Sequence, residues 1–271
     1  MPISPSAPPW TDEVLDFAQG LAGQARALAL RWFRHHPGVE LKADASPVTV
    51  ADRAVEEFLR GEIARRYPAH GILGEEFGTR AGDAPVLWSI DPIDGTRSFI
   101  TGSPLWGCLL AVLQDRQPVF GIIDVPLTAE RWVGIRGRGC WLNGERCRTR
   151  ATARLGEAVL QTTSPDLFSD ADRPAFERLG RAVHLRRFGG DCYAYAQLAG
   201  GWVDLVVESG LMPYDYLALM NVVQEAGGVI TDWQGRALGP DSDGRVLAAA
   251  NAGLHRQALA CLSGGDGARG A

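Results

Sequence analysis

The chain has 271 residues, of which 46% are hydrophobic, so it can bury a full core in one large domain or two modest ones. Its formal net charge is −5 and its basic residues are scattered, which argues against a basic face for nucleic acid. Because the chain carries a net negative charge, a phosphate-bearing substrate would be repelled unless metal ions or backbone amides at the site attract it.

The cysteines and the apolar runs indicate in which cellular compartment the protein is expected. The five cysteines form no CxxC pair and no metal-ligand spacing with histidine, so we expect reduced, mostly buried thiols. The first residues lack the basic and apolar regions of a signal peptide, and apolar runs such as residues 109–113 are too short to span a bilayer. The sequence therefore predicts a soluble cytoplasmic protein with no membrane partner.

Apolar residues at helical spacing predict two amphipathic helices near the start of the chain, over residues 10–33 and 51–67. The link between them, residues 42–50, is expected to be extended. Asp52 lies in the first turn of the second helix, where an aspartate is most often a cap or a favourable partner of the helix dipole.

Two short apolar strands follow the helices. Residues 71–74 lead into the paired glutamates Glu75 and Glu76, and residues 86–90 lead into Asp91. Paired glutamates are often only a solvated loop. If the two strands are neighbours, however, their ends lie at the same edge of a sheet, so we expect Glu75 close to Asp91.

Between residues 107 and 149 the pattern changes to short strands separated by turn signals, which predicts an antiparallel sheet and α+β character for the first half. Asn143-Gly144 is typical of a type I′ hairpin turn. The strands are expected over residues 108–113, 118–124, 130–135 and 139–142.

The strand pattern stops near residues 150–156, which predicts a domain boundary there. Residues 1–150 would form an N-terminal half and residues 151–271 a smaller C-terminal half. In the second half strands alternate with helices, which favours an α/β layer. The predicted strands cover residues 158–162, 183–188, 203–208 and 229–231, and the predicted helices cover residues 171–179, 192–199 and 214–226.

The turn Asp91-Pro92-Ile93-Asp94-Gly95-Thr96 suggests specific chemistry. Asp91 and Asp94 would repel each other if unpaired, and a hard cation such as Mg²⁺ removes that conflict because it takes oxygen ligands. The carbonyl of Ile93 lies between the two side chains. If a helix begins near Thr96, the amides of Gly95 and Thr96 also make an anion site. Taken alone, Asp-Pro and Asp-Gly are ordinary turn formers.

Three further carboxylates could reach this turn. Asp215 lies in the first turn of the helix predicted over residues 214–226, Asp191 follows a strand in a Gly-Gly-Asp run, and Glu208 ends another strand. Each also has an ordinary explanation. An aspartate in a first turn complements the helix dipole, and the other two could be loop charges.

Taken together, three segments resemble the inositol monophosphatase family of metal-dependent phosphatases. They are Gly74-Glu75-Glu76, the turn from Asp91 to Thr96, and Pro213-Tyr214-Asp215 with a helix ending in Glu225-Ala226-Gly227-Gly228. Their order and spacing match from Asp44 to Gly228. Residues 97–100, 104–107 and 187–196 look like the histidinol-phosphatase branch, and Tyr214 replaces the tryptophan usual in inositol-specific members.

The resemblance implies a layered alternating α/β sandwich, dependence on two or three Mg²⁺ ions, hydrolysis of small phosphate monoesters and commonly a homodimer. The implied metal ligands are Glu75, Asp91, the Ile93 carbonyl, Asp94 and Asp215. The resemblance also implies that Asp52 and Thr96 help to orient the attacking water. For the catalytic mechanism we expect Glu75 and the hydroxyl of Thr96 to orient the nucleophile.

Substrate choice must depend on residues beyond the metal ligands. Histidinol phosphate carries an ammonium group and an imidazole, so its pocket should offer carboxylates, whereas inositol phosphate presents hydroxyls. We predict that Asp191 contacts the amine or the ring, that Glu208 is a second carboxylate, and that Arg187 shapes the pocket or meets the phosphate. The other predicted substrate contacts are Asp94, Gly95, Thr96 and Asp215.

Other functions fit parts of the pattern. A related phosphatase acting on inositol phosphate, a sugar bisphosphate or a phosphonucleotide would use the same metal ligands. A catalytically silent metal or phosphate sensor would keep the fold without the reaction. A glycosidase using Glu75 and Asp91 as acid and base leaves Asp94 and Asp215 unexplained and ranks last.

Overall fold

A computed structural model describes residues 11–35, 39–41 and 47–264. Asp44 and residues 42–46 of the predicted extended link lie outside the described residues. The described ranges contain seven α-helices: α1 (Asp12–Leu30), α2 (Val50–Arg66), α3 (Thr96–Ile100), α4 (Arg173–Ala182), α5 (Asp191–Ala199), α6 (Pro213–Glu225) and α7 (Ala252–Leu262). No helix formed by these residues combines the length and hydrophobicity that a bilayer crossing requires.

The same ranges contain fifteen strands. Those before residue 150 are β1 (Val39–Leu41), β2 (Pro47–Thr49), β3 (Gly71–Gly74), β4 (Gly78–Arg80), β5 (Val86–Asp94), β6 (Gly107–Gln114), β7 (Gln117–Val125), β8 (Glu130–Ile135), β9 (Gly139–Leu142) and β10 (Glu145–Cys147). Those after it are β11 (Val159–Thr162), β12 (Leu185–Phe188), β13 (Leu205–Glu208), β14 (Val229–Thr231) and β15 (Val246–Ala249). Each predicted helix and strand is present with slightly displaced ends. Strand β2 lies in the link that was predicted only to be extended, and β1, β4, β10, β15 and α7 were not predicted.

Two large sheets organise the described residues, and β1 and β2 form a separate antiparallel pair. The larger one has eight strands in the described residues, in the order β10-β9-β8-β7-β6-β5-β3-β4, and its pairs are antiparallel except that β3 runs parallel to β5. The smaller one has the order β12-β11-β13-β15-β14. In it β11 is parallel to β12 and β13, whereas β15 is antiparallel to both of its neighbours. The antiparallel sheet predicted between residues 107 and 149 is confirmed over β6 to β10, and the predicted α/β layer is a mixed sheet.

The helices and sheets form five layers. Helices α1 and α2 pack on one face of the large sheet, α5 and α6 lie between the two sheets, and α4 and α7 cover the outer face of the small sheet. Successive side chains of β13 point to opposite faces of the small sheet and so contribute to the core on each face. Val206 packs with α5 and α6, whereas Leu205 and Val207 pack on the opposite side. The predicted layered sandwich is confirmed, and the domain boundary at residue 150 stays a prediction.

Helix α6 lies in direct contact with the large sheet because two strands carry glycine beneath it. A Cβ atom on Gly121 would be 2.0 Å from the carbonyl oxygen of Ala218, and one on Gly134 would be 2.3 Å from that of Asn221. A larger residue at either position would push the helix away from the sheet. These two glycines therefore help to fix the position of Asp215 at the start of α6.

The parallel pair of strands places two acidic segments at one edge of the large sheet. Gly74 lies opposite Ile90 in the β3–β5 register, so Glu75 and Asp91 follow at the same end of neighbouring strands. The register between β5 and β6 then shifts between Asp91 and Asp94, where the chain bends out of regular pairing. This arrangement confirms that the two predicted strands are neighbours with a common edge.

His70 is expected to make the stability of the fold sensitive to mild acid. Its Nδ1 accepts a hydrogen bond of 3.0 Å from the buried indole of Trp88, and its ring stacks on Tyr67 with centroids 4.7 Å apart. Burial lowers the pKa of His70 below its ordinary value of 6.5. Because His70 binds a proton more tightly in the unfolded chain than in the folded one, protonation favours unfolding. The free energy that the neutral ring contributes to folding is therefore complete above pH 6.5 and is lost as the pH falls below it.

Urea unfolding at pH 7 and pH 5 tests this prediction with His70→Asn, whose amide oxygen can still accept from Trp88 but does not titrate. The variant should lose less free energy of unfolding between the two pH values than the wild type. His184→Asn, at an exposed histidine, should behave as the wild type does. Equal losses in all three proteins would contradict the role of His70.

Candidate active site

Three carboxylates from two segments meet at the edge of the large sheet. Asp91 and Asp94 lie at the end of β5, Asp215 lies in the first turn of α6, and one oxygen from each lies within 4.8 Å of the others. The turn is ordered locally, because the amide of Ile93 donates to Oδ1 of Asp91 at 3.1 Å and Gly95 adopts a φ of 88°. Helix α3 begins at Thr96, where the sequence suggested a helix start.

Electrostatics in this cluster favour a bound cation. Burial raises the pKa of Asp91 well above its ordinary range, and repulsion from Glu75, Asp94 and Asp215 raises it further. Burial, with repulsion from Asp191, raises the pKa of Asp94 to about 7. A divalent cation among the oxygens would offset both costs, and an all-oxygen donor set suits a hard ion such as Mg²⁺. The residues present therefore fit the predicted metal.

The segment that carries Glu75 is held by a residue that the sequence analysis missed. Glu56 of α2 is fully buried, and its carboxylate accepts from the amides of Glu76 at 2.7 Å and Phe77 at 3.2 Å and from Nε of Arg60 at 2.6 Å. A second nitrogen of Arg60 donates to the carbonyl of Gly78. Glu56 and Arg60 thus fix the turn between β3 and β4 that directly follows Glu75.

Asp52 connects the start of α2 to the metal turn. Its Oδ2 accepts from the amide of Thr49 at 2.8 Å and from the Thr49 hydroxyl, which closes a capping box. Its Oδ1 accepts from the hydroxyl of Thr96 at 3.4 Å, and that hydroxyl is also 3.3 Å from the carbonyl oxygen of Ile93. Burial raises the pKa of Asp52 to about 6. The capping role and the contact with Thr96 are both present.

Asp215 also has two contacts at once. One of its carboxylate oxygens accepts from the amide of Met212 at 2.7 Å and so caps the first turn of α6. The carboxylate nevertheless lies in the cluster with Asp91 and Asp94. The ordinary explanation of a first-turn aspartate and the metal-ligand explanation are therefore compatible.

Asp191 lies against the metal turn from the opposite side. Its Oδ2 accepts from the hydroxyl of Ser98 at 3.0 Å, and its Cγ would lie 3.1 Å from a Cβ atom on Gly95. Asp191 begins α5 with a positive φ of 44°, and the next amide, that of Cys192, donates to Oδ2 of Asp94 at 2.5 Å. The start of α5 thus places a carboxylate beside Gly95 and an amide on Asp94.

The two other predicted substrate residues have different surroundings. Glu208 is buried at the end of β13, and its carboxylate accepts from Thr162 and Thr163, with the shortest bond 2.6 Å from the Thr163 amide. Burial raises the pKa of Glu208 to about 8. Arg187 lies on the edge strand β12 with an exposed side chain. Glu208 therefore lies inside the protein and Arg187 on its surface, and their roles stay predictions.

Several polar groups at the site were given no role in the sequence, because the sequence does not show which side chains and amides meet after folding. They are Thr49, Glu56, Arg60, Ser98 and the amide of Cys192. One signal for two of them was available. Asp52, Glu56 and Arg60 are spaced by four residues and so share one face of α2.

Three carboxylates, one buried and two half-buried, cluster at the edge of a five-layer α/β sandwich, and together with the similarity to known phosphatases they define a metal-dependent phosphomonoesterase. The family model of the inositol monophosphatase family matches residues 10–263, and the chain belongs to that family. The bifunctional phosphatase IMPL2 of Arabidopsis thaliana is 44% identical over 93% of this chain and 75% of its own length. The histidinol-phosphatase of Chlorobaculum parvum is 34% identical over 93% of this chain and 97% of its own length.

Solved structures agree with the family assignment. An inositol monophosphatase from Zymomonas mobilis superposes with a TM-score of 0.86 at 41% identity, covering 93% of this chain and 98% of the other. The predicted family and the predicted fold are therefore both confirmed.

Proposed function

We propose that the chain hydrolyses histidinol phosphate to histidinol and phosphate in a Mg²⁺-dependent reaction of histidine biosynthesis. The observation that carries this proposal is the carboxylate of Asp191, which lies beside Gly95 of the metal turn and 3.0 Å from the Ser98 hydroxyl. A cationic substrate whose phosphate occupied the metal turn would find this carboxylate within reach of its ammonium or imidazole. Relatives named histidinol-phosphatase support the same substrate.

Magnesium would be held by oxygens at one edge of the large sheet. The proposed ligands are Glu75, Asp91, the carbonyl of Ile93, Asp94 and Asp215, which could hold two or three ions. When bound, Mg²⁺ lowers the pKa of water and neutralises charge on the phosphate. The chain's own task is to fix these oxygens, which Glu56 does near Glu75 and the Cys192 amide does for Asp94.

Asp52 and Thr96 are proposed to orient the attacking water. The Thr96 hydroxyl lies between Oδ1 of Asp52 and the carbonyl of Ile93, so these two acceptors fix where its oxygen lone pairs point. With its pKa raised to about 6, the carboxyl of Asp52 can take up a proton close to neutral pH. We assign the amides of Gly95 and Thr96 to the phosphoryl oxygens and Glu75 to the water.

The proposed pocket lies between the metal turn and the start of α5. Asp191 would meet the positive end of the substrate, with Glu208 behind it, where the Thr163 amide and hydroxyl hold its carboxylate. Arg187, on the exposed edge strand β12, would shape the outer part of the pocket. Inositol phosphate is the second candidate substrate, because the similar structure from Zymomonas mobilis is named an inositol monophosphatase.

A panel of phosphate esters scored by kcat/KM tests the substrate assignment. We expect histidinol phosphate to be preferred over inositol 1-phosphate and fructose 1,6-bisphosphate, and phosphate release to require Mg²⁺. Asp191→Asn keeps the bond to Ser98 but removes the charge. It should lower kcat/KM for histidinol phosphate about 10- to 100-fold, mainly through KM, and for inositol phosphate by less than about 3-fold.

Different failures of this test have different meanings. Equal losses on both substrates in Asp191→Asn would show that Asp191 acts on Asp94 and not on the substrate. A preference for another ester would overturn the histidinol assignment alone. No release of phosphate from any ester would favour a silent metal or phosphate sensor.

Two further properties are proposed from the family resemblance, a homodimer and a cytoplasmic location. The Arabidopsis thaliana relative is named chloroplastic, so location varies among similar proteins. Light scattering on the purified chain would measure its mass against the 29.2 kDa of one copy. Cell fractionation would test the location.

A further inference from the structure

The hairpin formed by β9 and β10 brings two cysteines together. Cys140 lies directly opposite Cys147 in the antiparallel register, so the two side chains are on the same face of the hairpin. Opposite residues in such a pair have Cα atoms about 4.5–5.5 Å apart, inside the range of about 4.4–6.8 Å that disulfides span. We propose that Cys140 and Cys147 are a dithiol that oxidises reversibly to an intramolecular disulfide, a modification site separate from the carboxylate cluster.

The surroundings of the two thiols give them different roles. Cys140 is completely buried in the core between the large sheet and α6, whereas Cys147 is only half-buried. The interaction with the neighbouring thiol lowers the pKa of Cys147 and raises that of Cys140, which burial raises further. Cys147 is thus the accessible thiol with more thiolate character, and Cys140 is the resolving thiol beside it.

The reaction balances with a hydroperoxide as the oxidant. The Cys147 thiolate attacks one peroxide oxygen, the O–O bond breaks, and a sulfenic acid forms while hydroxide leaves and takes up a proton. The sulfur of Cys140 then attacks the Cys147 sulfur, the S–O bond breaks, and the proton of Cys140 leaves with the hydroxide as water. In sum, two thiols and one hydrogen peroxide give one disulfide and two waters.

The hairpin is attached at both ends to the end of helix α6. The amide of Gly139, just before Cys140, donates to Oε2 of Glu225 at 2.8 Å. The amide of Thr149, just after the hairpin, donates to the carbonyl of Ala226 at 3.0 Å. A disulfide would therefore join the two strands that attach the large sheet to this helix end, and it should slow local opening there.

Peptide mapping of the full chain provides the test. Protein treated with hydrogen peroxide, blocked with an alkylating agent and digested with trypsin should yield residues 139–146 joined to residues 147–148. That product should be 2 Da lighter than the sum of the two reduced peptides and should disappear after dithiothreitol. The oxidised protein should also unfold about 3–6 °C higher than the reduced protein, because the bond closes a short loop.

Two cysteine variants test whether the disulfide joins Cys147 and Cys140 specifically. Cys261→Ser removes another partly exposed thiol, on α7, and should form the linked peptide as the wild type does. Cys147→Ser should form none and should show no peroxide-dependent rise in Tm. Oxidation of Cys147 to separate acids without linkage, or linkage of Cys147 to any other cysteine, would overturn the proposal. None of these measurements depends on phosphatase activity.

Discussion

Asp215→Asn is expected to lower kcat/KM by roughly 10²–10⁴-fold while making the metal-free protein more stable. The loss in activity follows because a carboxylate that helps to hold Mg²⁺ becomes a neutral amide. The gain in stability follows because repulsion between Asp215 and the buried Asp91 is removed, whereas the amide oxygen can still cap the Met212 amide. Removal of one like charge should raise the Tm of the metal-free protein by about 2–4 °C.

Thermal unfolding with and without Mg²⁺ separates the two effects. The wild type should gain Tm as Mg²⁺ is added, and Asp215→Asn should gain much less at the same concentration. Asp12→Asn is the matched control, because Asp12 is also a first-turn aspartate but is exposed and paired with Arg138. Near-normal turnover in Asp215→Asn, or a fall in the Tm of its metal-free form with an unchanged response to Mg²⁺, would contradict the assignment.

Local patterns predicted much of the fold because the core residues repeat with clear periods. Alternation and turn residues located the strands of the large sheet, and the glycine and asparagine of the β9–β10 turn adopt the positive φ values that a type I′ turn needs. The position of β15 was not predictable in this way. It inserts between β13 and β14, so the order of the small sheet departs from the order of the chain.

The carboxylate cluster was also accessible to prediction, since each acidic residue follows a recognisable strand or begins a helix. Asp91 and Asp94 lie in one turn, and Asp215 lies two residues after the proline that starts α6. The groups that hold these side chains were harder to predict. The Cys192 amide reaches Asp94 across 98 residues of sequence, and no local pattern contains that contact.

Glu56→Gln is expected to weaken Mg²⁺ binding although Glu56 is not a proposed ligand. Its buried carboxylate accepts from two amides of the turn that follows Glu75 and from Arg60. Glutamine offers one acceptor oxygen, so at least one of these donors loses its partner and the position of Glu75 becomes less defined. Loss of such support typically costs 10- to 100-fold in metal affinity. The Mg²⁺ concentration for half-maximal activity should rise by that factor.

A role in positioning Glu75 can be distinguished from a purely structural one by titrating the Tm with Mg²⁺. Positioning predicts that Glu56→Gln needs more Mg²⁺ for the same rise in Tm, and that amide exchange of Glu76 and Phe77 becomes faster. Glu62→Gln is the control on the same helix, because Glu62 pairs with Arg65 at the surface and should leave both measurements unchanged. A lower Tm with an unchanged midpoint for Mg²⁺ would show that Glu56 supports α2 only. The Glu56 carboxylate is buried against the segment that carries Glu75, so water cannot replace a hydrogen bond that glutamine fails to make. We therefore expect the result that indicates positioning of Glu75.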